Sequence, residues 1–567
     1  MHSTVAPFKI VYLTGSILTG TIAMVLLLAS LTFLLGGTVA KWHFPLSFIL
    51  TALLWYFTGA RSLPNSTFIR SLLLCMLIII VSILLAVQLY DVSYDGQTYH
   101  MEGIYQLRHG WNPTKTLLPN NMNLSVFINH YSKGVELPQS TIYSLLNRIE
   151  AAKATNFILF AASLCLALSF FLETGKLSVS KCVVISLLLA LNPVAVNQLI
   201  STCVDGQMAT MLLCLFITML LFVNRPDSQR LFLLGAIIII TANIKFTGLV
   251  YVIIFISAFL AWLLYTRKKV MFNNLLLTFL FSGTIATVLV GFNPYVVNTI
   301  KFGHPFYPLM GPNAVNIMDT NTPNEFQGKN TVTKFFYSFF SHTDNMVPGK
   351  DSKKVQLKIP FALNKSDIMS AGKIDSRIAG FGPFFSGITI VSAALLIFLL
   401  IRHRKATVIK NAVYLIAVIV LSVCIIPESW WARYIPQLWY IPLIVLVCVE
   451  LYYPGSLKLS KMVLYGAFIA NIGLVFIGLG WNLMMSTLIN YQIKQLKSSN
   501  QPVAVKWGVF NSNRIRFQEN NIPFVEKDIT KEKNITGITR SNAIFIMPAS
   551  GYHIPKSKIV QWAEKFQ

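Results

Sequence analysis

Acidic residues are scarce in this chain of 567 residues, where 21 Asp and Glu stand against 46 Lys and Arg. Charged residues of both signs make up 12% of the sequence, about half of the ~25% that soluble domains carry. So little charge cannot coat a globular surface of this size, which excludes a soluble enzyme. Cysteine is sparse too: Cys75, Cys165, Cys182, Cys203, Cys214, Cys424 and Cys448 fall almost entirely inside apolar runs. With no CxxC and no paired Cys/His spacing, the sequence argues against a disulfide framework and against a zinc site. A cleavable leader is not expected, because the first apolar stretch, from about Ile10 to Leu35, is too long for one and reads as a retained span.

What the chain has in abundance is apolar sequence, 54% of its residues. Runs of 18 or more apolar residues recur from end to end, each long enough to cross the roughly 30 Å hydrocarbon core as a helix. They predict an all-α polytopic membrane protein of about thirteen spans, near 10–36, 44–60, 71–90, 154–172, 181–200, 208–224, 230–243, 246–266, 272–293, 385–401, 408–426, 435–452 and 462–485. The polar break from Asn243 to Gly248 separates two short helices that would otherwise form one run too long for a single crossing.

The excess of basic residues would suggest nucleic acid in a soluble protein, but here it reads as topology, and no nucleic-acid partner is expected. Arg61, Arg70, Lys176, Lys181, Arg225, Arg230, Arg267 to Lys269, Arg402 to Lys405, Lys410, Lys458 and Lys461 fall on alternate short loops, against Lys41, Lys245 and Arg433 on the other side. The positive-inside rule then puts the N-terminus in the cytoplasm and the C-terminus outside, in a membrane expected to be a bacterial inner membrane. The long polar segments 91–153 and 294–384, and a tail from 486, all become external. Residues 1–70 form two N-terminal spans ahead of a membrane core at 71–485. In the tail, Val503 to Trp507, Phe524 to Val525 and Ala543 to Met547 have the look of strands, predicting a small extracytoplasmic α/β domain over 486–567.

Where the third span ends, the chain carries Asp91, Asp95, Tyr99, His100 and Glu102 in close succession. Carboxylates at the lip of a span sit in partly dehydrated surroundings that raise their pKa and suit a general base; the alternative is an interfacial belt in which Tyr and Trp only anchor the helix end. Asp205 lies in a tight external turn, where it is a second acid or a helix cap. Lys245 places an ammonium between two apolar runs, a costly position unless it is paired, functional or snorkelling. Arg433 stands at the start of a span, either gripping a phosphate with its planar fork or paired with Glu428. His304 lies in another cluster facing the same side.

Taken together these residues resemble the membrane glycosyltransferases of the C superfamily, the group of the protein O-mannosyltransferases and the lipid A aminoarabinose transferase. In that family the first large external loop opens with an Asp-Glu-x-x-Tyr pattern. Asp95 and Tyr99 match its ends, while Gly96 replaces its second acid. Asp205, Lys245 and the run Trp431, Ala432, Arg433, Tyr434 fall where the family places a second acid, a lysine at a short-helix turn and a late Arg-Tyr turn. The resemblance covers spans three to thirteen. It implies transfer of a sugar from a polyprenyl-phosphate donor to a glycan, lipid or protein acceptor on the outer face, with inversion. Asp95 would be the base, with Asp205 as second acid, and Lys245, Arg433 and His100 would hold the donor phosphate. No cofactor is required, though Asp95 and Asp205 are placed to share a divalent cation. A transporter or flippase of lipid-linked sugar, or an O-antigen polymerase or ligase, are the alternative readings. The tail, with no acid and His arrangement of its own, is assigned to acceptor handling or stability.

Overall fold

The structure, a computed structural model, describes residues 7–345, 355–499, 501–548 and 554–565, so the 294–384 segment is described except for 346–354. Helices dominate, and a four-stranded sheet closes the chain. Among the described residues nine helices are long and apolar enough to cross a membrane: Pro7–Leu34, Asn65–Gln88, Ile149–Thr174, Asp205–Asn224, Phe246–Tyr265, Lys269–Val290, Phe385–His403, Thr407–Ile425 and Lys458–Ser499. Four shorter apolar helices, His43–Thr58, Val179–Ala190, Ser228–Ile244 and Pro436–Tyr452, occupy the remaining expected positions. This is a multi-pass helical membrane protein with a small C-terminal α/β unit.

Two helix boundaries bear on the site. The span expected at 181–200 breaks: Val179–Ala190 ends, and a separate short helix, Pro193–Gln198, begins with Asn192 as its cap, the Asn192 Oδ1 accepting the Val194 N–H at 3.1 Å. Pro193 removes an N–H that an interior turn would need but a first turn does not. The break at Lys245 is as expected. Lys245 is fully extended between Ser228–Ile244 and Phe246–Tyr265, and one carbonyl freed by the break, Asn243 O, accepts Gly134 N–H at 2.8 Å. Gly134 carries no side chain because a Cβ there would stand 2.3 Å from that oxygen.

Pro7–Leu34 packs against Ala154–Thr174, His43–Thr58, Asn65–Gln88 and Ser228–Ile244, and a Cβ on Gly15 would come within 2.9 Å of Ala162 O. Small residues permit such close approach where lipid supplies no hydrophobic drive for helix association.

Lys458–Ser499 runs well past the expected end at 485 and carries the tail on its far end. The sheet has the order β2-β1-β4-β3, with β1 Val503–Lys506, β2 Phe524–Glu526, β3 Ile535–Gly537 and β4 Ile544–Ile546. β1 pairs β2 in parallel, Val503 opposite Phe524, with the helix Asn513–Glu519 between them in the chain; β4 is antiparallel to both β1 and β3. Trp507 anchors this unit, its ring edge-on to Phe517 and Phe524 at 4.9 and 5.3 Å. The core of the tail is continuous with Tyr90, Val92, Cys203 and Ile374 at the loop-bearing end of the helix bundle.

Candidate active site

Asp95, Asp205, Lys245 and Arg433 converge. The Arg433 guanidinium donates through Nη1 to Asp95 Oδ2 at 2.9 Å, reaches Asp375 Oδ1 at 2.9 Å, and turns Nε toward Asp205 Oδ2 at 3.6 Å. Lys245 Nζ donates to Asp205 Oδ1, whose partner oxygen is 3.4 Å from Gln198 Nε2. Asp375 is held in turn by Arg377, which also donates to Asn321 O and Oδ1 at 2.6 Å each. Three carboxylates thus face three cations, a neutral set that tolerates partial burial where a lone charge would not. The set is partly open, with the Asp95 side chain 22% exposed and that of Arg433 12%.

Each partner is set by local structure. Asp95 leads into a π-turn, Gly96–His100, a rare local widening that frequently occurs at functional sites. Asp205 opens Asp205–Asn224, but its side chain makes no cap, since its oxygens go to Lys245, Arg433 and Gln198. Trp431 lies between the two arginines, with Arg377 at 3.9 Å and Arg433 at 4.1 Å from its ring, and donates from Nε1 to Asp375 O at 2.8 Å. Lys245 Nζ stands 4.7 Å from the Tyr434 ring. Burial alone would lower the Arg433 pKa; Asp375, then Asp95 and Asp205, hold it well above its ordinary value, so the guanidinium is a fixed charge. Burial, and then the Asp95 charge, push the Tyr99 phenol far up, leaving it a hydrogen-bond donor.

The other expected site residues lie elsewhere. Asp91 is fully buried and fully committed: Oδ1 accepts Ser93 N–H and Oγ–H at 2.8 and 2.6 Å, and Oδ2 accepts Thr202 N–H and Oγ–H at 2.7 Å each. Its clamp also accounts for Gly96, where a Cβ would stand 2.1 Å from Asp91 Oδ2. His100 is buried against Glu136, Nδ1 to Oε1 at 2.9 Å, with Lys133 3.5 Å from the second oxygen, so it takes no part in the Arg433 cluster. Glu102 accepts Arg514 Nη2 at 2.8 Å and Gln106 Nε2 at 2.7 Å. His304 Nδ1 accepts the Phe306 N–H at 3.1 Å. Glu428 accepts the Trp430 indole N–H and lies 3.9 Å from Lys334, so the pairing of Glu428 with Arg433 does not form. Asp375 and Arg377 were not singled out from the sequence. The only signal was a carboxylate and a cation two residues apart just ahead of Phe385–His403.

Among the described residues no group of three or more His, Cys, Asp or Glu side chains is arranged to hold a metal ion. The Arg433 guanidinium faces both Asp95 and Asp205, so a divalent ion shared by that pair would have to displace it.

Fold and site together define a polytopic membrane protein with a charged, partly open cluster at the loop-bearing end of its helices. No protein-family model matches the chain, and no curated protein does. Among solved structures it is similar to ArnT from Cupriavidus metallidurans bound to undecaprenyl phosphate, at 12% identity and a TM-score of 0.38, over 84% of this chain and 98% of that one.

Proposed function

We propose that the protein transfers a sugar from a polyprenyl-phosphate donor to a glycan, lipid or protein acceptor at the non-cytoplasmic face of the membrane, with inversion at the anomeric carbon. The observation that carries this reading is Arg433 shared between Asp95 and Asp375 beside the Lys245–Asp205 pair, at the ends of apolar helices. That is the depth at which the phosphate of a lipid carrier lies, its tail among the spans and its sugar toward water.

Asp95 Oδ2 is paired, while among the described residues Oδ1 accepts no hydrogen bond and is available to an acceptor hydroxyl. In the proposed step Asp95 takes the hydroxyl proton as the acceptor oxygen bonds to the anomeric carbon. The bond from that carbon to the phosphate oxygen breaks, and the electron pair leaves on polyprenyl phosphate, whose charge Lys245 and Arg433 neutralise. A phosphate bound beside Lys245 would engage the same guanidinium that pairs with Asp95, so donor and base share one cation. The chemistry calls for no metal. The N-terminus is assigned to the cytoplasm and the C-terminal unit to the outside of what we read as a bacterial inner membrane. Purified protein in lipid, given a defined polyprenyl-phosphate sugar, should release polyprenyl phosphate and transfer the sugar. Failure across sugar classes and acceptors, alongside transport of the intact lipid-linked sugar, would replace this reading with a flippase.

A further inference from the structure

The C-terminal unit closes over the turn that carries Asp95, and Gln97 is one of the side chains through which it does so. Gln97 is fully buried and divides its hydrogen bonds between its own turn, where Ser93 O accepts its backbone N–H at 3.3 Å and its Nε2 at 3.2 Å, and the tail. Its carbonyl accepts Ser512 N–H at 3.3 Å, its Oε1 accepts Asn513 Nδ2 at 3.1 Å and faces Arg516 Nη1 at 3.5 Å, and its Nε2 donates to Arg540 O at 3.0 Å. Arg516, 1% exposed, then reaches the extended segment just upstream. Its Nη2 donates to Asp91 O at 2.7 Å, its Nε to Glu150 Oε1 at 2.8 Å and its Nη1 to Asn513 Oδ1 at 2.8 Å. Glu150 in turn accepts Asp91 N–H at 3.0 Å, so both backbone groups of Asp91 are held, one directly and one indirectly, by the tail. The Asp91 carboxylate passes that constraint to Ser93 on one side and Thr202 on the other.

We propose that the C-terminal unit is a positioning element of the active site, with Arg516 and Gln97 setting where Asp95, and through Thr202 also Asp205, stand relative to Arg433. This departs from the division of labour expected from sequence, in which the tail stood apart from catalysis. The catalytic half of the proposal rests on the sugar-transfer reading, whereas the constraint on the turn does not. Arg516 makes no contact with Lys245 or Arg433, so its loss should misplace the acids without removing the cations that hold the donor. Glu150 retains Lys153 as a partner when Arg516 is absent, so no lone buried charge is created.

The test uses the full-length chain in lipid, with Arg516→Met, Arg516→Lys and the milder Asn513→Ala. Amide hydrogen exchange over 93–100 and 201–205 should accelerate about tenfold or more in Arg516→Met while Asp205–Asn224 beyond its first turn keeps wild-type protection. On a polyprenyl-phosphate sugar, kcat should fall ~10- to 100-fold, since small misplacements of reacting groups cost that much, with KM for the donor within about threefold. Arg516→Lys, which keeps the charge but not the fork, should fall between. Should Arg516→Met not fold, Asn513→Ala carries the same test at smaller amplitude. Unchanged exchange over 93–100 in the folded variants overturns the proposal, as does faster exchange with unaltered kcat. If the wild-type protein transfers no sugar at all, the functional reading fails, and the exchange measurement still decides whether the tail holds the turn.

Discussion

Asp91 reaches 111 residues along the chain to Thr202, accepting both its backbone N–H and its hydroxyl at 2.7 Å through a single carboxylate oxygen. The other oxygen holds Ser93, so one buried acid ties the turn before Asp95 to the turn before Asp205. Asp95 and Asp205, two of the three acids that face Arg433, stand in turns joined by this link.

Asp91→Asn should therefore behave as a structural lesion. Its amide nitrogen would confront N–H and O–H donors on one side, costing about 1 to 3 kcal/mol for a donor left unpaired. A lower unfolding temperature, together with loss of activity that higher donor concentration does not restore, is the expected outcome.

Gly96→Ala should be damaging even though the residue does not require an unusual backbone conformation. The added methyl would stand 2.1 Å from Asp91 Oδ2 and 2.4 Å from Ser93 Oγ, inside the clamp. Overpacking of this kind costs about 1 to 3 kcal/mol. For the same reason Gly96→Glu should not create a pair of adjacent acids with Asp95, and thermal unfolding of both variants would report this.

Asp95→Asn removes a base while keeping shape, and should cut sugar transfer by ~10²- to 10⁴-fold with folding unchanged. Retained transfer in purified protein would move the role to Asp205 or Asp375.

Arg433→Ala and Lys245→Ala should each weaken donor phosphate binding or departure by about 1.5 to 3 kcal/mol, the size of a charge-assisted hydrogen bond. Arg433→Ala should also lower stability, because Asp95 and Asp375 lose the cation they share. Kinetics with a defined lipid-linked sugar, set beside unfolding temperature, separates the two effects.

Docking of the tail should depend on pH through Glu519. Burial pushes its carboxyl up to about 7 from an ordinary 4.5, with Glu150 adding to the rise and the Ile149 N–H, Tyr143 and Arg148 opposing it. A raised pKa means that the folded state favours the neutral acid, so the contribution of Glu519 to stability is complete below pH 4.5, is lost between there and about 7, and is absent above. The span amounts to about 3 kcal/mol. Glu519→Gln should flatten this dependence and strengthen docking at pH 8, as read by exchange protection of 149–153 and of the helix Asn513–Glu519.

Features carried by a contiguous stretch of chain are legible in the sequence. Run lengths of apolar residues specify membrane helices, the break at Lys245 follows from Asn243 to Gly248, and three of the four strands follow from short β-branched and aromatic runs, while β3, three residues ending in glycine, was too short to register. The acids and cations at helix lips were legible because charge there is expensive wherever the chain goes next. Which of them meet was decided by the tertiary structure. Arg433 finds Asp95 across 338 residues and Asp375 from a third segment, while Glu428, five positions away, is left to Trp430. His100 turns to Glu136, and the tail reaches Gln97 across more than 400 residues. Hydropathy is additive along a chain and can be read locally. A salt bridge depends on the relative placement of rigid helices, which arises only when their faces pack, so the pairing of charges has no local pattern to betray it.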